Sequence, residues 1–218
     1  MKRFAVIGLG RFGAHLASRL YELGHEVLAI DADPATVQSV QNKVSTAAVV
    51  DARDRQQLRA LGLKDYDTVI ISVGERLEAS TLAALYCKEM ELRVVARAVN
   101  EDHGRILDAL GVDEVVYPER DMALRLAERL SSGNLLDFIP LGEDYSIMEL
   151  AVPDAFARKT LAELNVRARF NVHVLAVQDV VTGKVVMAPP ADQALGDTSV
   201  LVVLGRHQDL ERFQKAVR

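Results

Sequence analysis

The sequence predicts an α/β protein in which a doubly wound parallel sheet is followed by a smaller α+β module. Three observations carry that expectation. Six short apolar runs alternate with amphipathic stretches, a glycine-rich turn follows the first run, and a strand-rich pattern with few helices takes over beyond residue 134. The length of 218 residues suits one ordinary domain plus a small one.

The first strand is expected over residues 4–7 and runs into Gly8-Leu9-Gly10-Arg11-Phe12-Gly13, after which Leu16, Leu20 and Leu23 mark one face of a helix. A second strand over 27–30 ends at Asp31. Asp33-Pro34 then places an N-cap residue before a proline at the first helical position, so a helix starts there. Runs at 47–50, 69–71, 94–96 and 115–117 give the remaining strands. Helices between them are marked by Leu82, Leu85 and Met90 and by Ile106, Leu107 and Leu110. Cys87, the only cysteine, falls in the first of these and reads as core packing; a disulfide within the chain is excluded. Met122, Leu126 and Leu130 predict a trailing helix that Ser131-Ser132-Gly133-Asn134 breaks, giving domains over 1–133 and 134–218. In the second domain, strands are expected at 147–152, 172–177, 185–187 and 200–204, separated by Pro153, Gly183, Pro189-Pro190 and Gly196.

Composition removes several function classes. Lys+Arg at 26 against Asp+Glu at 31 leaves a net charge of −5, so the chain as a whole does not attract a nucleic-acid backbone. Half of the residues are hydrophobic and 26% charged, which excludes a disordered chain. No apolar stretch approaches the roughly 18 residues that cross a bilayer. Met1-Lys2-Arg3-Phe4 leads into a strand pattern and not a secretory segment, so a cytoplasmic protein is expected.

The glycine turn lies between a strand and a helix, the context that gives a G-x-G-x-x-G motif its meaning. Gly8 allows the tight turn, Gly10 admits a pyrophosphate to the backbone, and Gly13 lets helix and strand pack closely, as in Rossmann-like dinucleotide sites. Amides at the helix N-terminus face the phosphates. Asp31, 18 positions after Gly13, would accept hydrogen bonds from ribose hydroxyls and repel a 2′-phosphate. Asp51 suits either an adenosine contact or a helix cap. Arg11, inside the turn, can neutralise a phosphate of its own or a neighbouring subunit. No Walker lysine follows the turn and no G-x-S-x-G occurs. His15, His25, His103, His173 and His207 show no metal-ligand spacing, and the second domain offers no convincing acid/base group. The nucleotide is expected to be bound and not consumed. An NAD-dependent oxidoreductase is the competing reading.

Val6-Ile7-Gly8-Leu9-Gly10-Arg11-Phe12-Gly13, His25 through Asp31, Glu78-Ala79-Ser80-Thr81, Pro118-Glu119-Arg120-Asp121-Met122 and Leu164-Asn165-Val166-Arg167-Ala168-Arg169 together resemble RCK-domain proteins, over essentially the whole chain. The resemblance implies an RCK-N domain followed by an RCK-C domain. It further implies a cytoplasmic octameric ring, peripheral on the inner face of the membrane and attached to a potassium-translocating membrane subunit. The first domain would bind ATP or ADP, with NAD(H) in some relatives. Carried over, Gly8, Gly10, Phe12 and Gly13 would surround the phosphates, Asp31 would hold the ribose, and Asp51 and Ala52 would face the adenine. Ser72, Val73 and Gly74 would border the nucleotide. Arg97 would lie near the phosphates, where relatives often have lysine, and Arg11 would reach the γ-phosphate in the adjoining subunit. Glu119 would help hold a divalent cation such as Mg2+. In RCK-C domains Leu161, Ala162, Arg167, His173 and Pro189 match positions that bind cyclic di-AMP between subunits; His173 stands where relatives often have asparagine. An RCK-like sensor serving a different membrane partner is the third reading.

Overall fold

The computed structural model describes residues 1–74, 76–131, 135–142 and 144–216. It divides into two compact units, Met1–Glu119 and Arg120–Arg218. The turn expected at 131–134 falls in the second unit, and Ser132, Gly133 and Asn134 lie outside the described residues.

The first unit is a six-stranded parallel sheet of order β3-β2-β1-β4-β5-β6. The strands are β1 (Arg3–Ile7), β2 (Glu26–Asp31), β3 (Thr46–Val49), β4 (Thr68–Ile71), β5 (Val94–Arg97) and β6 (Glu114–Val116). All six expected runs form strands. In the central strands β1, β2 and β4 the apolar character is continuous because both faces are buried. Ala5, Ile7, Ile30, Val69, Ile71 and Ala96 face one core, and Val6, Val27, Ala29 and Ile70 face the other. That alternation is the two-residue period of a strand.

Helices α1 (Arg11–Glu22), α2 (Pro34–Val40), α3 (Arg55–Ala60), α4 (Leu77–Glu89) and α5 (Glu101–Ala109) make the crossovers. Asp33 caps α2 as expected, accepting hydrogen bonds from Ala35 N and Thr36 N, with Pro34 at the first position. In α4, Ala83, Ala84 and Cys87 are fully buried against the sheet, and burial pushes the Cys87 thiol up to about 12. Two expectations of burial fail. Leu23 is the C-cap residue of α1 and is exposed. Helix α6 (Pro118–Ser131) forms, yet Met122, Leu126 and Leu130 are exposed, because it follows the last strand of the sheet and makes no further crossover.

The second unit holds an antiparallel sheet of order β10-β9-β11-β8-β7, formed by β7 (Leu135–Leu141), β8 (Tyr145–Ala151), β9 (His173–Asp179), β10 (Val185–Met187) and β11 (Ser199–Arg206). Its short helices α7 (Leu161–Leu164) and α8 (Val166–Phe170) precede β9, and α9 (His207–Ala216) follows β11. Leu150, Leu201 and Val203 of the sheet share a core with Leu210 and Phe213 of α9. The sequence reading missed β7, where Pro140 obscures a strand pattern that an edge position tolerates. It also missed α9, whose Leu210 and Phe213 sit at i, i+3 spacing. No helix among the described residues is long and apolar enough to cross a membrane.

Candidate nucleotide-binding cleft

In the parallel sheet, chain connections run outward in opposite directions from β1 and β4, and this reversal opens a crevice at the carboxyl ends of the strands. A cleft of about 630 Å³ occupies it, lined by Gly8 and Gly10 after β1, Asp31 to Pro34 after β2, Val50 to Arg53 after β3, and Ser72 to Gly74 with Arg76 and Ala79 after β4.

The glycines divide the work of the turn. Gly8 has φ +92°, and a Cβ there would come within 2.7 Å of Val73 N. A Cβ on Gly13 would lie 1.9 Å from Gly8 O, so α1 can seat on the turn only with glycine at that position. Gly10 differs: its Cβ would meet nothing within 4 Å. It is the N-cap of α1 and provides no side-chain cap, and the first turn carries no acidic residue. A helix N-terminus with free amides beside open space is suited to an anion. Behind the turn, the Ser72 hydroxyl is buried without a hydrogen-bond partner, a polar atom at the cleft that a ligand or its water can satisfy.

Asp31 is half-buried. Its Oδ2 accepts from Leu9 N at 2.7 Å and its Oδ1 from Asp33 N at 2.9 Å, which fixes the carboxylate at the rim of the glycine turn. Each oxygen keeps a further lone pair for a hydroxyl. Asp51 does not cap α3; Asp54 does, accepting from Gln56 N and Gln57 N. Instead Asp51 is gripped by Arg53 through Nε (3.0 Å to Oδ1) and Nη2 (2.7 Å to Oδ2), with Arg53 N also donating to it. These hydrogen bonds hold its carboxyl at about 2.

Arg11, Phe12, Gly13, Arg97 and Glu119 lie outside the lining. Arg11 is exposed at the first position of α1. Arg97, at the end of β5, pairs with Glu119 (Nη2 to Oε1 2.6 Å, Nε to Oε2 3.2 Å), and its Nη1 would lie 3.7 Å from a Cβ placed on Gly74. Sequence reasoning missed Arg53 and Arg76, although each follows within a few residues of a strand end, where such clefts are built.

The TrkA-N domain family matches residues 4–118, and the TrkA-C domain family matches residues 147–218. Ktr system potassium uptake protein C of Bacillus subtilis (strain 168) is 38% identical over 99% of this chain and 97% of its own. Ktr system potassium uptake protein A of the same bacterium is 34% identical over 98% and 96%. The chain belongs to the TrkA-N/TrkA-C family. Among solved structures, the GsuK channel matches 99% of the TrkA-N/TrkA-C chain with a TM-score of 0.73 at 19% identity, and the GsuK channel bound to NAD matches with a TM-score of 0.67. This chain spans 39% of the channel chain, and the likeness is one of fold.

In the TrkA-C region, Thr160 and Glu163 form a reciprocal capping box at the start of α7. Leu161 N and Ala162 N donate to Gln193 O and Ala191 O, which brings Leu161 and Ala162 against the segment that follows Pro189. Arg167 on α8 and His173 at the start of β9 are exposed, and neither side chain has a hydrogen bond or ion pair among the described residues.

Proposed function

We propose that this protein is a nucleotide-sensing regulatory subunit of a potassium uptake transporter, working without catalytic turnover as a ring of its own copies on the inner face of the membrane. The observation that carries the reading is the convergence of Gly8, Gly10, Asp31, Asp51, Ala52, Ser72, Val73 and Gly74 on one cleft, in a chain that matches Ktr system potassium uptake proteins over nearly its whole length. Those residues suit the diphosphate and ribose common to ADP, ATP and NAD(H). ATP and ADP are the proposed signals, because only a γ-phosphate adds charge that two subunits can share. Arg11, exposed outside the cleft, is proposed to reach that phosphate from a neighbouring copy in an octamer, with Arg97 on the near side. Contacts made in one ring shape and not in the other are what shift the equilibrium.

The described residues of one chain do not complete a site for Mg2+. Both Glu119 oxygens are taken by Arg97, and no group of three metal-ligating side chains occurs among the described residues. In the second unit, Leu161, Ala162, Arg167, His173 and Pro189 are proposed to receive cyclic di-AMP, with the TrkA-C family match and the apposition of α7 to the segment after Pro189 as support.

The test is calorimetric titration of the purified protein with ADP and ATP, paired with potassium uptake in cells carrying the membrane subunit. Micromolar binding of both nucleotides, with uptake that depends on which is bound, is expected. Arg11→Ala should retain ADP binding and abolish the ATP/ADP difference in uptake. Absence of adenylate binding would remove the reading.

A further inference from the structure

We propose that Arg53 and Arg76 form a guanidinium clamp that holds a purine base by its faces, so that this chain discriminates purine from pyrimidine nucleotides. The inference rests on the nucleotide reading of the cleft and concerns the wall that reading leaves unassigned.

The order of the strands sets the order of the ligand. Gly10 lies in the turn after β1, Asp31 ends β2 and Arg53 follows β3, and neighbouring strands are about 4.8 Å apart. A nucleotide with its phosphates at Gly10 and its ribose at Asp31 therefore brings its base to the end of β3. The wall there combines Val50 and Ala52, both largely buried, with the Asp51–Arg53 pair. That pair is neutral overall, and Arg53 directs its Nε and one Nη2 hydrogen at Asp51. The Arg53 charge is already matched by Asp51, which weakens its pull on a phosphate. What it presents is a flat, weakly hydrated guanidinium face, the surface on which aromatic rings stack.

Arg76 arrives from the other side. It is the N-cap residue of α4, lines the same cleft, is exposed, and has no ion pair among the described residues. Its charge is felt at the Asp51 carboxylate, which sets it within electrostatic reach of the pair across the cleft. Two guanidinium groups lining one cleft, from the loops after β3 and β4, suit a flat aromatic ligand. A purine, with two fused rings, offers each of them more stacking area than a pyrimidine does.

The clamp is tested by titrating the full-length protein with ADP and UDP, which share ribose and diphosphate and differ in the base. Wild type should prefer ADP by about tenfold. Arg76→Ala should weaken ADP about tenfold while changing UDP less than about twofold, within the range of stacking on an arginine. Arg76→Lys should behave like Arg76→Ala, because lysine restores charge and not a planar face. Equal losses for ADP and UDP, or rescue by lysine, would overturn the clamp and make Arg76 a phosphate or ribose contact. Arg53→Ala, read the same way, provides the independent arm. Unchanged ADP affinity in both variants sinks the clamp alone, whereas wild type binding neither nucleotide sinks the nucleotide reading with it.

Discussion

At the scale of single residues, the three glycines of the turn have separable jobs. Gly13→Ala puts a methyl group 1.9 Å from Gly8 O, where backbone has to move. The expected cost is about 2–3 kcal/mol of fold stability, measured by denaturant unfolding, with nucleotide binding lost as a consequence. Gly10→Ala meets no protein atom, and its φ of −60° suits alanine. The melting temperature should stay within a few degrees of wild type while nucleotide affinity falls at least about tenfold, because the methyl group would project into the open space proposed for the phosphates. A Gly10→Ala protein that binds normally would place the phosphates elsewhere. The motif was legible from spacing alone. Arg53 and Arg76 were not, because an arginine in a loop has no periodicity, and only the fold shows which two of many line one cleft.

At the scale of elements, the parallel sheet could be read because both faces of its central strands β1, β2 and β4 are buried, and the flanking strands keep short apolar runs. The helix α5 carries a less visible feature. Its His103 is buried to 1% exposure, accepts from Val99 N at Nδ1, and leaves Nε2 without a partner. Burial lowers its pKa, so the folded state resists a proton that the unfolded chain accepts near pH 6.5. The unfolded state therefore binds more protons in this window, and stability is lost as pH falls below about 6.5. Melting temperatures recorded from pH 8 to 5 should decline, and His103→Gln should flatten that decline. A slope unchanged by the substitution would assign it to another group. Elements beyond β6 were harder to read: β7 contains a proline, and α6 carries exposed Met122, Leu126 and Leu130 on a stripe that looks like a core-facing face.

At the scale of the whole molecule, the two units have separate cores, and the cleft draws only on the first. A nucleotide present at 100 times its Kd should stabilise that unit by about 2.7 kcal/mol through mass action. Thermal unfolding followed with and without ADP should show the gain in Met1–Glu119, and a protein whose unfolding ignores ADP would contradict the proposed role. The two-part organisation was visible as a switch from alternating to strand-rich pattern. The potassium-transport partner came from the family resemblance and not from the pattern, since a fold alone does not name a function.

Gly10 leaves the leading coil of α1 unfinished. With no side chain to tie off the opening amides, the hem of that helix is sewn by whichever anion arrives, so the empty protein should exchange those hydrogens quickly and the loaded one slowly. Occupancy would thereby be recorded as local order at the spot where the exposed Arg11 opens the helix.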